Sequence, residues 1–244
     1  FDALFENQDH SEIILKKLLC LPHRNASKIN LSDFLPGKII KSHWGKSEIK
    51  INAPESLLLW LVENVKMPVN GMPKASLNTQ KKRLGLIRKE NPIVKKAIKL
   101  ILQDPLATKK WYILEGITQP DVYLETENAI IVIEGKRTER APTTSTQWME
   151  VRHQMIRHID VVWDKKKSKK IFGFFVVEAE NNLIPEKWIE YSELTINDQV
   201  LKKSLPHRTN QQRAQISDCF LGVTTWLAIC NEFNIPFDSL PNKV

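Results

Sequence analysis

Cysteine is scarce: the 244-residue chain has only Cys20, Cys219 and Cys230. An odd number at such wide spacing makes neither a disulfide framework nor a zinc cluster. That fits a reducing compartment and predicts a cytoplasmic location. Long apolar runs are missing too. The longest strongly apolar stretch, Leu57 to Val62, is far too short to span a bilayer, so no membrane partner is expected. No internal repeat, low-complexity tract or signal peptide is visible, and a chain opening on Phe1 is expected to have lost its true beginning. What is there is globular in composition, 42% apolar and 26% charged, and long enough for one large domain or a core with a lobe.

The formal charge of +8 is concentrated. Between Asn78 and Lys110 stand ten basic residues: Lys81, Lys82, Arg83, Arg88, Lys89, Lys95, Lys96, Lys99, Lys109 and Lys110. Only Glu90 and Asp104 oppose them, so this stretch carries a net +8 and the rest of the chain is close to neutral. Such a concentration suggests a polyanionic partner, of which nucleic acid is the commonest. A well-solvated helical surface is the alternative.

Periodicity divides the chain into a largely helical, basic N-terminal region, residues 1–91, and a mixed α/β core, residues 92–244. Helices are predicted over Pro54 to Val65, Ser76 to Lys89 and Pro92 to Gln103, the first with Pro54 near its first turn. The period then changes. Strands are predicted at Trp111 to Thr118, at Asp121 to Glu125 and, after a turn at Thr126-Glu127-Asn128, along the apolar run that ends Ile133-Glu134-Gly135-Lys136. Thr143 to Trp163 returns to helical spacing, Lys170 to Ala179 reads as a strand, and Gln211 to Phe233 as one long apolar helix. That last helix belongs either to the core or to a homodimer interface. A last strand reached through a helical crossover implies a mixed sheet covered by helices.

The charged end of the third strand raises a question of geometry. Glu134 and Lys136 are two apart, so both leave the same face. If Glu127-Asn128 is a two-residue loop, Thr126 opposes Ala129, and counting back along both strands sets Asp121 opposite Glu134. Their Cβ atoms would then lie roughly 5 Å apart. A three-residue loop would shift the register by one. Two opposed carboxylates repel, and a divalent cation with hard oxygen ligands removes the conflict. The bland alternative is a salt bridge between Lys136 and either carboxylate.

Pro120-Asp121, followed after an apolar strand by Glu134-Gly135-Lys136, resembles the motif of the PD-(D/E)XK nuclease superfamily. The resemblance covers roughly residues 92–179 and implies the restriction endonuclease-like core of helix, three strands, helix and strand (αβββαβ). It also implies a metal-dependent nuclease acting on nucleic acid, DNA before RNA. By the same resemblance Asp121, Glu134 and the carbonyl of Gly135 would hold Mg²⁺ (or Mn²⁺), and Lys136 would assist the attacking water. Members often add a polar residue from the following helix, where Gln154 and His158 fall beside the apolar stripe. In RecB-type exonucleases the pattern is Gln-x-x-x-Tyr. Gln154 fits its first position, and His158 replaces the tyrosine.

Further candidates are weaker. Arg152 lies inside the apolar arc and is expected to pair with an acid under the sheet or to touch a phosphate. Glu55, Glu63 and Glu115 are candidates for an additional carboxylate. Backbone contacts to nucleic acid are assigned to Lys81, Lys82, Arg83, Lys95, Lys96 and Lys99. The lysine-rich loop Asp164 to Lys170 is expected at the opposite end of the helix from the Lys136 side, and such a loop is most often just solvated. Two other readings compete: a nucleic-acid-binding module on the same fold with an idle carboxylate site, and a sugar hydrolase using Asp121 and Glu134 as an acid/base pair.

Overall fold

A computed structural model describes residue 4 and residues 11–24 and 33–240 of the chain. Helix α1 spans Ser11–Cys20 and strand β1 spans Ile39–Trp44. Three helices follow: α2 (Glu55–Asn64), α3 (Leu77–Ile87) and α4 (Asn91–Gln103). Then come β2 (Val122–Thr126), β3 (Ala129–Lys136), α5 (Gln154–Trp163) and β4 (Lys170–Val177). The chain continues through α6 (Glu186–Thr195), α7 (Asp198–Ser204), α8 (Asn210–Asp218), β5 (Phe220–Thr225) and α9 (Trp226–Glu232).

The five strands form one mixed sheet in the order β1-β2-β3-β4-β5. The first three pair antiparallel, while β4 and β5 run parallel to β3. Alternation along the strands sorts the core into two layers. Tyr123, Ile130, Val132, Phe175 and Val177 pack against Met155, Ile156 and Ile159 of α5, with Trp188 of α6 and Ile216 of α8. On the opposite face Leu124, Ile131, Ile133, Phe174 and Val176 meet Leu15, Leu18 and Leu19 of α1 and Ile229 of α9. Glu134 and Lys136 continue the series of Ile130 and Val132, so they emerge on the α5 face.

Four expectations are corrected. First, Trp111 to Thr118 is not a strand. Tyr112 and Leu114 turn into the core of the helices α2 to α4, Glu115 turns toward Arg152, and only Thr118 makes a bridge, to Ile51. The third antiparallel strand is instead β1, so the N-terminal region is not purely helical.

Second, residues 143–153 are not helical. The Arg152 and Gln154 N–H groups donate to the carbonyls of Thr144 and Thr143, which lays the two ends of that segment side by side. Third, the long C-terminal helix is a helix, a strand and a helix. Gly222 sits at φ +89° with the His23 ring where a Cβ would be, and β-branched Val223, Thr224 and Thr225 extend the chain. The Thr225 hydroxyl then accepts the Ala228 N–H and starts α9. Fourth, the helix packed on the sheet ahead of the strands is α1. Helix α4 joins α2 and α3 in a separate apolar cluster around Leu57, Leu61, Leu86, Ala97 and Ile101. The chain enters and leaves this three-helix lobe through the paired residues Ile51 and Thr118, whose N–H groups donate to each other's carbonyls at 2.9 and 2.8 Å.

A buried ionic network holds the α5 side together. Arg152 has no solvent exposure at all. It donates to Glu115 Oε1 and Oε2, to Asp160 Oδ2 and to the Ser204 carbonyl, all at 2.8–3.1 Å. Arg208 donates to Asp160 Oδ1 at 2.8 Å and to Asp164 Oδ1 at 2.7 Å, and His207 Nε2 lies 3.2 Å from Asp160. Burial opposes the charge on Asp160, but Arg152, His207 and Arg208 outweigh it and hold that carboxyl well below the usual carboxylate range.

Breaking such a pair strands the partners' charges. Arg152→Leu should therefore lower the unfolding free energy by about 3–5 kcal/mol in a urea titration. A depressed folded-state pKa contributes stability in full above the unfolded value, about 4 for Asp, and loses it as pH falls through the folded value. The urea midpoint should accordingly drop below about pH 4, and Asp160→Asn should flatten that part of the profile.

Candidate active site

The hairpin register is the one that opposes Asp121 to Glu134: Val122 pairs with Ile133, Tyr123 with Val132 and Leu124 with Ile131. The two acidic residues meet at the end of this ladder. The Asp121 N–H points to Glu134 Oε2 at 3.4 Å, and the Gly135 N–H donates to Asp121 Oδ2 at 2.7 Å. Lys136 Nζ lies 2.9 Å from Glu134 Oε1 and 3.4 Å from Glu139 Oε1. The Asp164 to Lys170 loop follows the far end of α5, as expected, and there Lys169 pairs with Glu125 and Lys170 bonds to Asn128.

Helix α5 supplies the rest. Gln154, its first residue, donates from Nε2 to Glu134 Oε1 at 2.6 Å. One turn later His158 Nε2 sits 3.2 Å from Glu134 Oε2, without full hydrogen-bond alignment, and burial lowers the imidazole's pKa despite the neighbouring carboxylate. His158 Nδ1 reaches Thr118 Oγ1 at 2.9 Å. With 1% exposure, His158 stands behind Glu134 and orients it; it is not placed to contact substrate. Thr118 was not anticipated. It reaches the site through the bridge to Ile51, which no local sequence pattern announces.

The electrostatics separate the two carboxylates. Burial and the nearby charge of Glu134 push the Asp121 carboxyl up to about 6. Glu48, which follows β1, adds a smaller push in the same direction. It was also missed, because β1 itself was. Burial acts against the charge on Glu134 as well, but His158 and Lys136 outweigh it and hold that carboxyl below its usual value. Burial likewise works against the Lys136 ammonium, and Glu134 more than offsets it, so Lys136 stays charged. A Lys136–Glu134 salt bridge alone would satisfy the lysine. It would not account for the second carboxylate beside it, kept half-buried with a raised pKa.

The donor set fits a small, hard cation. Among the described residues no group of three or more His, Cys, Asp and Glu side chains could hold a metal. Mg²⁺ does not need one: it is usually held by one or two carboxylates, keeping several waters. The N–H and C=O of one strand residue face the same neighbour. Since Lys136 O accepts from Glu178 on the β4 side, the Gly135 carbonyl faces Asp121.

The other candidates are placed differently. Glu115 and Arg152 pair with each other inside the fold. Glu55 and Glu63 are exposed on α2, and Glu63 lies near Lys89. Lys81, Lys95, Lys96 and Lys99 are exposed on α3 and α4. Lys82 lies over the Trp111 ring, and Arg83 lies over the Trp148 ring and donates to the Trp111 carbonyl at 3.2 Å, so these two charges also brace the lobe. No hydrogen bond or ion pair among the described residues joins any of these six to Asp121 or Glu134.

No family model, curated protein or solved structure matches the chain.

The raised Asp121 pKa has a consequence for stability. An acid whose folded-state pKa exceeds its unfolded value costs stability as pH rises through that interval. Asp121→Asn keeps an oxygen for the Gly135 N–H and removes the charge. It should stabilise the metal-free protein at pH 7 by roughly 1–2 kcal/mol, a gain that fades as pH falls from 6 toward 4. Loss of stability on this substitution, measured by urea unfolding at both pH values, would make Asp121 a structural salt-bridge partner.

Proposed function

We propose that the protein is a metal-dependent nuclease that hydrolyses phosphodiester bonds. The observation that carries the reading is the pairing of Asp121 with Glu134 at the end of the β2–β3 ladder, with Lys136 on the same face. Proteins normally avoid facing carboxylates; here the fold spends a raised Asp121 pKa to keep them together. The element order supports the same reading, since β1, β2 and β3 are followed by α5 and then by a strand parallel to β3.

A bound Mg²⁺ or Mn²⁺ would supply polarisation of a phosphate oxygen and of a water molecule. Asp121 and Glu134, with the Gly135 carbonyl, would hold it. Lys136 places a positive charge beside Glu134, where it would stabilise charge building on the phosphate. Gln154 and His158 fix the Glu134 carboxylate from behind. Water adds to phosphorus as the bond to the leaving 3′ oxygen breaks, giving a 5′-phosphate and a 3′-hydroxyl. DNA is the first substrate to test.

Linear duplex, supercoiled and single-stranded DNA should be incubated with the protein, with and without Mg²⁺ or Mn²⁺. Cleavage should require the metal and fall about 100-fold or more in Asp121→Ala and in Lys136→Ala. Cleavage that survives both substitutions would overturn the assignment. Salt-sensitive binding without cleavage in all three proteins would instead identify a nucleic-acid-binding module with an idle site.

A further inference from the structure

Away from the carboxylate site, the described residues line a concavity of about 800 Å³ between the end of α2, the segment 66–73, the loop 145–151 and the end of α7. Two partly exposed indoles, Trp60 and Trp148, line it. Around them stand Lys66, Lys202 and Lys203, all exposed, against the single acid Glu150. The wall at 66–73 is apolar and open: Met67 is 48% exposed and Val69 79%.

Aromatic faces flanked by lysines hold unpaired bases by stacking and their backbone by charge. Bases inside a duplex have no free face to offer. The volume suits roughly one or two bases, and the net positive rim suits a phosphate backbone. The groove is also close to the carboxylates. Val151 lines it, and Gln154, three residues on, touches Glu134. Three residues span at most about 11 Å, so the groove's edge at Val151 lies within that distance of the backbone of Gln154.

We infer that this groove binds single-stranded nucleic acid and delivers it to the Asp121–Glu134 site. The inference rests on the nuclease reading for the class of ligand. It adds that the strand arrives unpaired, with a base against Trp60, next to the Trp148 ring that Arg83 covers, and phosphates against Lys66, Lys202 and Lys203.

Fluorescence anisotropy in EDTA tests the groove without cleavage, using labelled oligo-dT, oligo-U and a duplex of equal length. Single strands should bind at least tenfold more tightly than the duplex, and the two single-stranded probes separate DNA from RNA. Trp60→Ala should weaken single-strand binding about tenfold or more. The exposed pair Lys202→Glu/Lys203→Glu, which leaves the cores untouched, should weaken it and lower the salt slope by about 1.4. Equal or tighter duplex binding, no binding of either form, or lysine variants that bind like wild type would each overturn the inference. The nuclease reading is judged separately. Duplex cleavage at wild-type rate by the groove variants would leave that reading standing and remove the groove. Intact groove binding with no cleavage under any metal would do the reverse.

Discussion

The guanidinium of Arg152 is the charge around which the α5 side of the molecule is arranged. A fully buried cation is tolerable only when every hydrogen-bonding direction is met. Here Glu115, Asp160 and the Ser204 carbonyl, drawn from the segment before β2, from α5 itself and from the end of α7, accept from all three guanidinium nitrogens. Satisfying one residue thus fixes three separate stretches of chain relative to one another. It also explains why α5 begins at Gln154 and not earlier. With the Arg152 side chain in the ionic cluster, its backbone N–H is bonded to the Thr144 carbonyl, and the helix starts two positions later with Gln154 facing Glu134. The candidate site is therefore placed by a charge that takes no part in its chemistry.

The same residue shows what was and was not legible in the sequence. The β2–β3 register could be derived because a two-residue loop joins two apolar runs, and the loop length fixes pairing. Alternation then gave the shared face of Glu134 and Lys136. By contrast, Trp111 to Thr118 has strand-forming residues but no neighbouring strand, and Glu115 answers to a partner 37 positions away. β5 was hidden because Leu221, Trp226 and Leu227 mimic a helical stripe. Its real signals were Gly222 and the β-branched run after it. β1 is an edge strand with exposed side chains at its centre, so it lacks the apolar alternation that would announce it. Glu48 and Thr118 reach the site only through that missed strand and the bridge beyond it.

Volume constrains the site as firmly as charge does. A Cβ at position 135 would lie 2.7 Å from the Trp226 ring, so the residue between Glu134 and Lys136 must be glycine while that indole is there. Trp226 opens α9, which packs on the face of the sheet away from α5. The two faces of the sheet thus meet at one position. The same residue's N–H donates to Asp121 Oδ2 at 2.7 Å, so one glycine touches both the indole and the carboxylate.

The reciprocal hydrogen bonds of Ile51 and Thr118 close the three-helix lobe at its neck. Because the ends of that excursion are already pinned side by side, the lobe's length is nearly decoupled from the sheet. Doubling a closed loop costs only about 0.6 kcal/mol in chain entropy. The lobe behaves as a guest in a β1-to-β2 connection, and away from its neck and from Glu115, which is tied to Arg152, it could grow or shrink without moving β2. Thr118, however, sits on the threshold and touches His158. The guest is free in size but not in footing: whatever tilts its neck also tilts the imidazole that backs Glu134.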